Sequence, residues 1–172
     1  MLQILGSLFI IMTGSLLHFL YEWSNNNKLV GFFASVNEST WEHIKLAITP
    51  AFLWLVVERH FYFSNPNLFF AKFISMLVMI IIIPVAFYTY KFFTRKNYLV
   101  MDIGIFVIAV IAGQLVFHLL LNYCIVNNCL NHIGILGLIL IFFKYITSTY
   151  VPKNNFLFKD PITDTYGINC NK

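Results

Sequence analysis

The stretch Leu68-Phe-Phe-Ala-Lys-Phe-Ile-Ser-Met-Leu-Val-Met-Ile-Ile-Ile-Ile-Pro-Val-Ala-Phe-Tyr-Thr-Tyr90 decides the class of fold, and its only charged residue is Lys72. At 1.5 Å per residue, a helix of this length covers the ~30 Å hydrocarbon core of a bilayer. Working outward, further apolar runs cover residues 2–21, 40–61, 99–122 and 130–150. The sequence therefore predicts an all-α polytopic membrane protein, a bundle of five transmembrane helices over about 2–21, 40–61, 68–90, 99–122 and 130–150. Residues 151–172, with Pro152, Asp160-Pro161 and Gly167, read as a polar tail.

Composition supports this class. Of 172 residues, 59% are hydrophobic, 18% aromatic and only 10% charged, and the mean hydropathy is +0.78. A soluble domain carries roughly 25% charged residues, so a soluble enzyme, a disordered chain and a nucleic-acid module are all excluded. The net charge of +4 is small, with no compact basic patch for a phosphate backbone. No Walker loop, GxGxxG, GxSxG or HExxH occurs, which leaves nucleotide cofactors and serine hydrolysis without support.

The first run lacks a basic leader and a small-residue cleavage site, and reads as a retained span. Leu29–Val36 is apolar but too short to cross, and is expected at the interface. Ser39 and Glu42 have the spacing of a capping box, in which Ser caps the second helix and Glu reaches back. Pro50 and Pro84 should kink their helices. Five spans put the chain ends on opposite sides. Lys28, Lys45, Lys91, Arg95, Lys96, Lys144, Lys153, Lys159 and Lys172 fall on one side and only Arg59 and Lys72 on the other. The positive-inside rule then predicts N-out/C-in, with a cytoplasmic tail. Cys124 and Cys129 share the outer loop, as a disulfide or as two free thiols, while Cys170 should stay reduced.

Ionisable residues near spans mark sites or pathways. His18 and Glu22 are four apart at the inner end of the first span, Glu38 and Glu42 repeat that spacing beside His43, and Asp102 begins the fourth span. This topology brings them to one membrane face. His18, Glu22 and His43 are candidate ligands for a divalent metal, zinc first, with Glu38 or Glu42 as general base for hydrolysis. The same groups without metal could relay protons or hold a transported cation. Simpler roles also exist: Glu42 as capping partner, Lys45 as its ion-pair partner, and Tyr21, Trp23 and Trp41 as interfacial belt residues. The outer set Glu58, Arg59, His60, His118 and His132 is a weaker constellation. Phe156, Phe158 and Tyr166 could fold the tail back over the cluster, with Asp160 adding a carboxylate.

The segments His18-Phe-Leu-Tyr-Glu-Trp-Ser24, Val36-Asn-Glu-Ser-Thr-Trp-Glu-His-Ile-Lys45 and Phe156-Leu-Phe-Lys-Asp-Pro-Ile-Thr-Asp-Thr-Tyr-Gly-Ile168 occur in that order. Together they resemble an uncharacterised family of small bacterial integral membrane proteins, domain-of-unknown-function family 6512. The resemblance covers nearly the whole chain and implies a bacterial inner-membrane setting, but no reaction. It also implies that His18, Glu22, Glu38, Trp41, Glu42, His43 and Asp160 belong to the family pattern. Where that pattern has Thr-Gly before the final Tyr-Gly, this chain has Thr163-Asp164. Asp tolerates positive φ less well than Gly, so an altered tail turn is expected.

Three functions follow from these residues. The first is a non-enzymatic membrane protein whose cytoplasmic-side His/carboxylate cluster is structural or binds a partner or lipid. The second is an intramembrane metal-dependent hydrolase acting on a lipid-like substrate. The third is a small proton or cation transporter, for which a homo-oligomer would be needed because five helices enclose little space.

Overall fold

Apolar runs separated by Asn-, Ser- and Pro-rich turns produce five helices. The computed structural model describes residues 1–123, 128–161 and 163–170, with the backbone alone at 128, 169 and 170. The helices are α1 (Leu2–Trp23), α2 (Thr40–Phe61), α3 (Leu68–Thr94), α4 (Leu99–Tyr123) and α5 (Asn128–Tyr150). Side-chain bonds at their ends define the directions. Gln3 in the first turn of α1 donates to the hydroxyl of Tyr62, just past α2, at 2.9 Å. Tyr90 near the end of α3 donates to Asp102 at the start of α4. Asn131 in the first turn of α5 accepts from the backbone N–H groups of Phe69 and Phe70 at 3.2 and 3.3 Å, which caps α3. Consecutive helices therefore alternate in direction, and α5 runs parallel to α3.

The core lies between α2, α3 and their neighbours. Ile10, Ile48, Ala51, Met76, Met79 and Val110 are buried there. α5 approaches α3 closely because it presents glycine. A Cβ on Gly134 would lie 2.5 Å from the Cα of Phe70, the small-residue contact that brings membrane helices together.

The five-span bundle needs correction. Among the described residues, four helices are long and apolar enough to cross a membrane: α1, α3, α4 and α5, the last from Cys129. The helix that fails is α2, which carries Glu42, Lys45, Glu58 and Arg59. Its charges survive among apolar neighbours because they are paired inside the protein. Lys45 Nζ lies 2.6 Å from Glu42, and Lys72 Nζ of α3 lies 2.7 Å from Glu58. The N-out/C-in assignment counted five crossings and falls with the fifth. The basic-residue count behind it also included Lys45 and Lys72, which are fully buried.

Both polar connections fold over the end of the bundle where α1 stops and α2 begins. The 24–39 segment forms a short 3₁₀ turn at Val30–Phe32 and buries Gly31, Ala34, Ser35 and Val36 instead of lying flat on a surface. The tail docks beside it. Trp41 N–H donates to the Leu157 carbonyl at 3.0 Å, and the Trp41 and Phe158 rings lie 4.7 Å apart. Asn37 donates to the Gly167 carbonyl at 3.2 Å. Phe158 and Asp160 are buried, whereas Phe156 stays exposed. In the tail turn Asp164 adopts a left-handed φ of 59° and pairs with Lys159 at 2.9 Å. The disulfide reading falls on residue 124, outside the described residues; Cys129 is exposed.

Candidate metal centre

The docked end brings together three residues from three places. His18 comes from the last turns of α1, Glu38 from the loop before α2, and His43 from the first turn of α2. His18 Nε2 lies 3.6 Å from Glu38 Oε1, and His43 Nε2 lies 3.4 Å from Glu38 Oε2. The two imidazoles stack with centroids 5.7 Å apart and planes 24° from parallel. One ligand atom from each residue falls within 4.8 Å of the other two. Zinc bonds of ~2.0–2.1 Å in a tetrahedron give ligand–ligand edges of roughly 3.3 Å. Each imidazole thus lies close to that spacing from one of the two Glu38 oxygens, and a set with one atom per residue, within 4.8 Å, must contract to hold the ion.

Backbone geometry sets the protonation. His43 Nδ1 lies 3.1 Å from the Ser39 carbonyl oxygen, which can only accept, so the proton is on Nδ1. The Nε2 atom that faces Glu38 then carries either a second proton or a lone pair. A lone pair facing a carboxylate at this distance is repulsive unless a cation lies between them. Without metal, the hydrogen bond from His43 is the largest influence on Glu38 and holds its carboxyl below the ordinary 4.5, against burial. Burial works against the His43 cation, but the hydrogen bond and charge of Glu38 outweigh it and raise His43 above the ordinary 6.5. A carbonyl on the remote nitrogen is also the usual way a metal-binding imidazole is oriented.

A pocket of about 500 Å³ opens from this cluster. His18 and Glu38 form one wall, Glu22 and Asn26 another, and Asp160 and Thr163 of the tail a third. Glu22, expected as a ligand, lies on that wall and outside the three-residue group. Glu38, expected as a base, is the residue between the two imidazoles.

Glu42 is held by other partners. Its carboxylate pairs with Lys45, accepts from Val36 N–H at 3.1 Å and accepts from the Thr149 hydroxyl at 3.1 Å. Lys45 completes this network by donating to Gly31 O at 2.9 Å and to Thr149 at 2.8 Å. The capping box is therefore half formed. Ser39 Oγ accepts from Glu42 N–H at 3.4 Å, but the Glu42 side chain does not reach back to Ser39, whose N–H donates to Asn37. Tyr21 and Trp41, read as belt residues, pack inside against Val36 and Phe158. Asp160 is the residue whose place sequence spacing could not supply, because the tail must dock before it reaches the pocket. At the far end, Glu58, His60, His118 and His132 enter no metal-sized group among the described residues.

The fold and this cluster define a small multi-pass helical membrane protein with a histidine–carboxylate niche at one end of its bundle. The chain belongs to DUF6512, a family of unknown function, whose sequence model matches residues 2–168. No curated protein and no solved structure matches the chain.

Proposed function

We propose that this is a metal-binding protein of the bacterial inner membrane in which His18, Glu38 and His43 hold one divalent ion. Zinc suits two imidazoles and a carboxylate, and three protein ligands leave the fourth position for water or substrate. The observation that carries this reading is the orientation of both Nε2 atoms toward one carboxylate, at 3.6 and 3.4 Å, with Nδ1 of His43 tied to a backbone carbonyl.

A second reading, hydrolysis of a lipid-like substrate by metal-activated water, is favoured by the pocket that shares His18 and Glu38 with the ligand set. Glu22 on the pocket wall is then the candidate base. Elemental analysis of the detergent-purified protein tests the first reading. The expected result is about one zinc per chain in the wild type and in Glu22→Gln, and loss of zinc in His18→Ala and His43→Ala. No bound metal in any sample after soaking overturns it.

A further inference from the structure

A second pocket, of about 300 Å³, lies where the end of α3 meets the docked tail, and neither the metal niche nor any function above uses it. Its walls carry Phe87, Tyr88 and Lys91 from α3 and Phe156, Lys159 and Pro161 from the tail. We propose that this pocket binds the headgroup of an anionic phospholipid. The two ammonium groups supply the charge. Lys91 Nζ sits 5.4 Å from the centre of the Phe87 ring. Lys159 pairs with the carboxylate of Asp164, which also lines the pocket, so two ammonium groups against one carboxylate leave the pocket positive.

The surroundings select a lipid over free phosphate. α3 is one of the four helices apolar enough to span, and Lys91 lies in its last turn, at the depth where phosphate groups sit. Phe156 in the pocket wall and Phe92, one turn beyond Tyr88 on the same helix face, are more than two-thirds exposed, at 71% and 78%. Ile81 and Val85, one turn apart on α3 and exposed, continue this apolar surface toward the bilayer centre. A phosphate held between the lysines would lay its acyl chains along this strip. Basic pockets beside membrane helices recognise anionic headgroups in this way.

The test uses the full-length protein in nanodiscs of phosphatidylcholine, with and without phosphatidylglycerol, and native mass spectrometry to count retained lipids. The expected result is preferential retention of phosphatidylglycerol by the wild type. The Lys91→Gln/Lys159→Gln variant should lose at least tenfold of that preference, each lysine near an anionic surface being worth roughly fivefold. An unchanged melting temperature of the variant in phosphatidylcholine alone confirms that its fold is intact. If a misfolded double variant results, Lys91→Gln alone is measured and must show about half the loss on a logarithmic scale. Equal preference in variant and wild type overturns the proposal. So does displacement of the lipid by millimolar inorganic phosphate, which would make the pocket an adventitious phosphate site.

Discussion

The carbonyl of Ser39 lies 3.1 Å from Nδ1 of His43, and this contact makes Nε2 the atom that His43 offers to Glu38. Ser39 is the N-cap of α2, so the turn that starts the helix also orients a ligand. Proline at position 40 would leave that carbonyl in place, whereas shifting the helix start by one residue would rotate the ring away. Metal affinity should therefore respond to the cap as well as to the ligands. Ser39→Ala, which removes the side-chain cap on Glu42 N–H, is expected to destabilise the protein by about 1 kcal/mol and to weaken zinc binding measurably. His43→Ala should abolish binding. Zinc titration against a fluorescent chelator compares the three.

Acidity should separate the metal-free state from the metal-bound one. Glu38 has a lowered pKa, so its contribution to stability is present above 4.5 and is lost as pH falls through the lower folded value. His43 has a raised pKa, so its contribution is present below 6.5 and is lost as pH rises through the higher folded value. With a chelator present, the melting-temperature gap between wild type and Glu38→Gln should therefore be widest between pH 4.5 and 6.5. With zinc, which needs neutral imidazole, the gap should grow toward higher pH. A gap that ignores pH in both conditions contradicts the geometry.

Lys45→Met should be among the most damaging single changes in the chain. It strands the buried carboxylate of Glu42 and leaves the Gly31 carbonyl without its donor. Breaking one side of a buried pair costs about 3–5 kcal/mol. The Glu42→Gln/Lys45→Met double variant should recover part of that loss, and thermal unfolding in detergent would show it as a non-additive cycle.

Gly134→Ala tests the α3–α5 contact. The added Cβ would meet backbone atoms of Phe70 at 2.5 Å, and backbone cannot swing aside as a side chain can. A loss of about 1–3 kcal/mol is expected. Gly104→Ala, whose Cβ meets nothing within 4 Å, is the control and should leave the melting temperature unchanged or raise it.

Where the sequence reading succeeded and where it failed have physical reasons. Runs such as Leu68–Tyr90 declare themselves because nearly all of their residues are apolar, with Lys72 the one charge. α2 misled because its helix is long enough to cross, but Glu42 and Lys45 at one end and Glu58 and Arg59 at the other leave an apolar stretch, 46–57, of the length of a buried core helix. In the niche, His18, Glu38 and His43 were each singled out by residue type, but helical spacing grouped them wrongly. The i,i+4 rule paired Glu38 with Glu42, yet Glu38 lies in the loop before α2 and reaches His43 from outside the helix. Glu42, inside the helix, turns to Lys45 and Thr149. Asp164 shows the limit of propensity. Its side chain pairs with Lys159 while its backbone takes the left-handed conformation that Asp can visit as a single residue.

The docked tail also imposes an order of events on biosynthesis. Asp160 and Thr163 line the pocket beside the histidines, Phe156, Lys159, Pro161 and Asp164 line the basic one, and all of them leave the ribosome only after α5 has been made. Until the tail docks, the pocket beside His18 and Glu38 lacks the wall that Asp160 and Thr163 supply. On the metal and lipid readings proposed above, both sites are therefore completed by one late event, the docking of the tail.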